Sequence, residues 1–318
     1  MGKLIATRLL RMVATLLAVS LITFLMLELL PGDPIDQLIA LEERDNEQLV
    51  DRIREENNLN GPVLVRYGRW LGDAVTGDLG DAITQPKSVS DILTERLPIT
   101  LQLTVTAIFF ALILSIPLGI LTAYRQGRPT DRLVSGILQV GLSIPNFVIG
   151  IFAIWVFAEQ LGWLPATGWT RLTDNLGDNL KAVILPALSL AIVDIAVFSR
   201  LLRADMITTL EENYVLSARA KGMSDRFVLF RHALRPSSLS LITVVALNLG
   251  GLLGGTVVIE QLFAMGGIGR ALIDAILDRD FTVVQGLTVF IAAVYVLLNT
   301  AVDFVYLAVD PRIRGGRH

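Results

Sequence analysis

The chain has no cysteine and only two histidines, His232 and His318, among its 318 residues. Disulfides, thiolate metal sites and cysteine nucleophiles are therefore excluded, and a histidine cage around a metal cannot be built within one chain. Lysine is scarce too: Lys3, Lys87, Lys181 and Lys221 are the four, and none stands in the phosphate-loop pattern G-x-x-x-x-G-K-[ST]. Nucleotide hydrolysis by that device must reside on another chain. The alternating segments of a membrane β-barrel are also missing, as is any evident internal repeat.

Apolar residues are abundant instead, at 53% of the chain with a mean hydropathy of +0.61. They fall in six long blocks, near residues 9–30, 101–123, 133–157, 182–202, 239–259 and 282–309. About 20 residues at a 1.5 Å rise cross the hydrocarbon core, so each block predicts one spanning helix. The expected class is an all-α membrane protein with six spans and an insertion after the first. A cleaved signal peptide is the alternative for the first block. Its apolar run exceeds the about 7–15 residues of such a segment, and Pro31-Gly32-Asp33-Pro34 follows as a helix stop, not as a cleavage site.

Charge predicts the orientation, because Lys and Arg are retained on the cytoplasmic side. Lys3, Arg8 and Arg11 flank the first block; Arg125, Arg128 and Arg132 fill the second connection; seven basic residues occupy the fourth; Arg312, Arg314 and Arg317 form the tail. Those segments hold 16 of the 27 Lys and Arg, whereas residues 31–97 carry 14 Asp and Glu against 7 basic residues. Both termini and the fourth connection are expected in the cytoplasm. The chain divides accordingly into residues 1–30, an external insertion 31–97, a five-helix core 98–309 containing a cytoplasmic loop 203–238, and a tail 310–318.

The basic, half-apolar stretch at 214–235, YVLSARAKGMSDRFVLFRHALR, reads as a docking element for another protein. Ser217, Ala218 and Ala220 predict a small-residue helical face that a partner backbone can approach. Gly222 ends that helix, since glycine adopts the left-handed conformation without a side-chain clash. Ser224 or Asp225 is expected to cap a second helix carrying Phe227, Val228 and Phe230 with Arg226, Arg231 and Arg235. Headgroup anchoring is the alternative role for the cations.

The insertion contains helical patterns at 45–57 and 64–74, too little for an independent enzyme domain. It is either a structural collar or a docking surface for an external partner. Within the spans, Asp194 is the anomaly, because a central Asp costs roughly 2.5–3.5 kcal/mol on insertion scales and so calls for a partner or water. An interhelical bond to Ser, Thr or Asn and a contact with a cationic solute are the two readings. Glu28 and Asp303 lie nearer span ends. Gly250, Gly251, Gly254 and Gly255 form two overlapping G-x-x-x-G patterns, read as helix packing or as pore lining, with Asn248 one turn away. Pro145 kinks the third block, and Asn146 beside it can satisfy freed backbone or touch solute.

Several motifs together carry a resemblance: SARAKG at 217–222 with HALR at 232–235, PGDP at 31–34, GDLG at 77–80, ILP at 184–186, RDFTVVQG at 279–286 and DPRIR at 310–314. In order and spacing the chain resembles permeases of ABC importers, in the dipeptide, oligopeptide and nickel branch, and its first permease subunit. The loop at 217–235 looks like the EAA loop of that family. Gly266 stands where the family pattern has proline, and Ser217 where the general loop has an acidic residue.

The resemblance implies the type I importer fold and a non-enzymatic permease half in a bacterial or archaeal cytoplasmic membrane. It implies as partners a second permease, two cytoplasmic ATPases holding ATP and Mg²⁺, and an external solute-binding protein. Tyr214, Ala218, Ala220 and Gly222 would shape the ATPase contact, with Lys221, Arg231 and His232 orienting it. Asn146, Asp194 and Asn248 would approach the translocation path. A proton-coupled carrier using Glu28, Asp194 and Asp303 is the alternative, but it leaves the docking loop unexplained. An intramembrane aspartyl protease fails because Gly77-Asp78-Leu79-Gly80-Asp81 has the wrong spacing.

Overall fold

In the computed structural model, residues 2–29 and 61–309 are described; the motif at 31–34, the helical pattern at 45–57 and the tail 310–318 lie outside them. The helices are α1 (Gly2–Glu28), α2 (Val63–Thr76), α3 (Val89–Tyr124), α4 (Pro129–Ser143), α5 (Asn146–Ala153), α6 (Leu176–Leu210), α7 (Asn213–Ala220), α8 (Asp225–Phe227), α9 (Arg235–Leu262), α10 (Ile268–Leu277) and α11 (Phe281–Val309). Among the described residues, β pairing is confined to an isolated bridge between Asp81 and Ser88.

Among the described residues, five helical stretches are long and apolar enough to cross a membrane. The block expected near 133–157 as one kinked span is instead a pair of arms, Pro129–Ser143 and Asn146–Gln160, bent by 102°. The pair completes the sixth span only if both arms are counted together. Each arm rises about 22 Å, short of the about 30 Å hydrocarbon core. Pro145 explains the break, because its backbone is extended at φ −57° and ψ 139°. The second arm continues as π-helix over Ile154–Gln160.

The chain divides into two compact units, residues 1–100 with 266–300 and residues 101–265 with 301–318. The first gathers Val89, Ile92 and Leu93 of α3, Ile268 and Ala275 of α10, and Val283, Val284 and Leu287 of α11 into one apolar core. Asp280 organises the polar edge of this unit. Its Oδ2 accepts from the Ile83 and Thr84 amides at 2.8 and 3.0 Å and from Thr84 Oγ1 at 3.0 Å, while Oδ1 accepts the Val283 amide at 3.1 Å. One carboxylate thus caps α11 and pins the segment after α2. Gly80 permits that seat: its φ is +92°, and a Cβ there would lie 2.7 Å from Thr282 Cγ2.

Helix α6 forms the centre of the second unit, with α4, α5 and α9 packed against it. Small residues at Ala187, Ala191, Ala196 and Ser199 are fully buried and admit the neighbouring helices closely. Polar ties fix its upper part, where Asn179 Nδ2 donates to the Thr170 carbonyl and Gln102 Nε2 to Asn179 Oδ1, both at 2.6 Å.

Candidate functional site

The helix before the loop runs on to Leu210, and α7 begins at Asn213, so little unstructured chain separates them. Helix α7 ends in two backbone bonds, from Gly222 N–H to the Arg219 carbonyl at 2.9 Å and from Met223 N–H to the Ala218 carbonyl at 3.3 Å. With Gly222 at φ +78°, this is the Schellman arrangement. A Cβ at Gly222 would meet nothing within 4 Å, so the demand for glycine is conformational and not steric.

After the bend, Asp225–Phe227, a π-helical turn at Val228–Leu234 and α9 follow one another without interruption. The expected side-chain cap is absent: neither Ser224 nor Asp225 caps this helix, whose Val228 amide bonds the Ser224 carbonyl at 3.0 Å. Asp225 Oδ2 accepts the Tyr124 hydroxyl at 2.9 Å instead, tying the loop to the end of α3.

Packing sorts the loop into two faces. Val215, Ala218 and Val228 form a small buried cluster over Leu210, so Ala218, at 5% exposure, belongs to the interior and not to the small-residue docking face expected for it. The i, i+3 spacing of 215 and 218 accounts for this. Tyr214, Ser217, Ala220, Lys221, Gly222 and Arg231 are exposed, as are the large apolar side chains Leu216, Met223, Phe227 and Phe230. His232 is half-buried rather than outward. Its ring lies 5.5 Å from Phe227 edge-on and 6.5 Å from Tyr214, whose hydroxyl donates to the His232 carbonyl at 3.3 Å. His232 therefore braces the loop from within.

A bidentate pair not singled out from the sequence holds the root of the loop. Arg203 Nε and Nη2 donate to Asp131 Oδ1 and Oδ2 at 2.9 and 2.8 Å. Asp131, 4% exposed, also accepts from the Gly127 amide at 2.9 Å and Ser135 Oγ at 3.2 Å. The two-point contact with the Arg203 guanidinium and these further donors satisfy the buried carboxylate. Pro129 followed by Asp131 at a helix start was the available signal.

In the core of this unit, Asp194 of α6 and Asn248 of α9 meet, as Asn248 Nδ2 donates to Asp194 Oδ1 at 3.2 Å. Asp194 is 7% exposed and its Oδ2 has no partner among the described residues. Asn146 is half-buried at the head of α5 and makes no hydrogen bond with either. Of the four glycines, Gly250 is buried and Gly255 faces Leu190, where a Cβ would sit at 3.6 Å. Gly251 and Gly254 are exposed, with open space around them. Glu28 pairs with Arg66 at 3.0 Å, and the Asp303 side chain lies outside the described residues.

The family described as binding-protein-dependent transport system inner membrane component matches over residues 115–315, and its N-terminal companion over residues 1–104. The chain is 36% identical over 318 residues to the oligopeptide transport system permease protein AppB of Bacillus subtilis, covering 98% of this chain and 99% of that protein. It is 37% identical over 307 residues to the glutathione transport system permease protein GsiC of Escherichia coli O6:H1, covering 96% and 97%. Among solved structures, a chain of the MetNI methionine ABC transporter aligns with a TM-score of 0.57 at 19% identity, over 69% of this chain and 96% of that one, a likeness of fold.

Proposed function

This chain belongs to the family of binding-protein-dependent transport system inner membrane components, and from that premise we propose that it is one permease subunit of an ATP-driven importer of di- or oligopeptides. The exposed, stiffly bent loop at 214–235 carries the reading. It presents Phe227, Phe230 and Met223 beside Lys221 and Arg231, although its own core is already complete. Exposed aromatic and basic side chains on a short rigid helix suit a groove in another protein.

In this reading the loop and both termini are cytoplasmic, and the 31–97 insertion faces the binding protein. A second permease completes the path. Two separate ATPases hold ATP and Mg²⁺, and this chain itself catalyses nothing. Closure of the ATPases pushes α7 as a lever, and the Tyr124–Asp225 and Arg203–Asp131 ties pass the displacement to α3, α4 and α6. Gly251 and Gly254 offer the second permease a close approach, while Asp194 and Asn248 stand near the path. The names of the relatives, peptide, oligopeptide and glutathione permeases, support a peptide solute.

Uptake of a labelled tri- or tetrapeptide into vesicles containing the two permeases and the ATPases, with binding protein outside and ATP inside, tests the proposal. ATP-dependent accumulation that stops without the binding protein is expected. Uptake of nickel complexes but no peptide would reassign the solute within the same machinery. Accumulation by this chain alone under a proton gradient would overturn the importer reading.

A further inference from the structure

The first unit contains a cavity of about 700 Å³ that has no role in coupling or transport as described. It is walled by the last turn of α1, by α2, by residues 78–83 and by the first turn of α11. Two residues of its lining each carry a buried polar atom without a partner among the described residues, the donor Trp70 Nε1 and the acceptor Gln285 Oε1. Gln285 is 3% exposed, and its Nε2 donates to the Ser20 carbonyl at 2.9 Å, which fixes the amide and leaves the oxygen unused. An orphaned acceptor at that depth calls for an N–H or O–H donor from elsewhere.

Charge narrows the donor. Arg66 is matched by Glu28, through contacts of 3.0 and 3.1 Å, so Arg69 remains as the cation of the lining against Asp73, Asp78 and Asp81. A purely anionic ligand would face three carboxylates and one guanidinium beyond the Arg66–Glu28 pair. A ligand with one anionic and one ammonium group matches both signs.

Position supplies the rest. Phe24 and Glu28 close one apolar helix and Phe281 and Gln285 open another, so the cavity lies at the level where hydrocarbon gives way to headgroups. On the same turns α1 exposes Leu25 and Met26, with Leu29 exposed just after it, and α2 buries no residue while exposing Leu64 and Val65. Apolar surface beside a two-signed polar cavity at a span end is the complement of an amphiphile.

We propose that this cavity holds the headgroup of a zwitterionic phospholipid bearing a primary ammonium group. The phosphate faces Arg69 and the Trp70 N–H; the ammonium faces Asp73 and Asp81 and donates to Gln285 Oε1; the acyl chains lie along α1. A quaternary ammonium has no N–H for Gln285 and binds less well. The site is independent of the solute carried and of which face of the membrane it occupies.

The assembled importer, extracted from vesicles of equal phosphatidylethanolamine, phosphatidylcholine and phosphatidylglycerol, is examined by native mass spectrometry for retained lipid. Several-fold enrichment of phosphatidylethanolamine is expected, falling towards parity in the double variant Asp73→Asn and Asp81→Asn. Equal retention of the three lipids by the wild type, or undiminished enrichment in an assembled double variant, would overturn the proposal. If the double variant does not assemble, Arg69→Gln on the exposed face of α2 gives the reading, with loss of enrichment supporting the site and full enrichment opposing it. Soluble glycerophosphoethanolamine is expected to displace the lipid only weakly. Displacement by a di- or tripeptide at equal concentration would assign the cavity to solute and sink the lipid reading, whether or not the chain imports peptides.

Discussion

Asn248 Nδ2 of α9 donates to Asp194 Oδ1 of α6 across 3.2 Å, and the second carboxylate oxygen of Asp194 is unpaired among the described residues. A tie between helices requires one oxygen, whereas attraction of a cationic solute requires charge. Asp194→Asn separates these demands, because it keeps the shape and an amide acceptor for Asn248. Unchanged uptake with intact assembly is the expected result for a tie, and selective loss for solutes with a free amino end is the expected result for a charged path. Asp194→Leu strands Asn248 in either case and is expected to lower assembly by about 1–3 kcal/mol of lost pairing, read as reduced thermal stability of the purified complex.

Gly222 sits at φ +78° with open space around it, so substitution acts through the backbone alone. Gly222→Leu is expected to cost about 1–2 kcal/mol in the left-handed region, loosening the bend. ATP-driven uptake and ATPase co-purification then fall together, with the permease still in the membrane. Gly222→Asn is expected to retain most activity, since Asn tolerates that conformation. Equal defects in the Asn and Leu variants would point to a cause other than the bend.

Phe230 is 58% exposed whereas Val228 two residues away is fully buried. Phe230→Ser is therefore expected to weaken ATPase binding by about 2 kcal/mol, a thirtyfold loss of affinity, without lowering the stability of the permease. Val228→Ala is expected to lower stability first. Titration of the ATPase onto membranes containing each variant distinguishes the two.

The Arg203–Asp131 fork anchors the root of the loop. Arg203→Lys retains the charge but loses the bidentate geometry and is expected to restore little of what Arg203→Gln loses. Arg203 keeps one side towards water, so the loss of stability is expected below the about 3–5 kcal/mol of a fully buried pair. Thermal unfolding of the purified complex measures it.

Single cysteines replacing Asp45 and Lys221 in this cysteine-free chain are expected to react with a membrane-impermeant thiol reagent from opposite faces. Labelling of both from outside intact cells would overturn the orientation taken from the Lys and Arg distribution.

Membrane embedding, the apolar blocks, and the helix, bend and helix of the loop were legible in the sequence. Block length and glycine conformation are local properties, written residue by residue. The right angle at Pro145 was legible only in part, because proline marks a break but its angle depends on what each arm packs against.

Tertiary structure alone decided which loop residues face outward. Ala218 reads like Ala220 in sequence, yet Val228 and Leu210 close over one and leave the other bare. It also decided that Asp194 meets Asn248, that Asp131 meets Arg203, and that Asp280 gathers residues 83 and 84. Partners separated by 54, 72 and about 200 positions leave no periodic trace. A buried polar group in the sequence announces that it needs a partner, but which one it finds depends on helix packing that no local window contains.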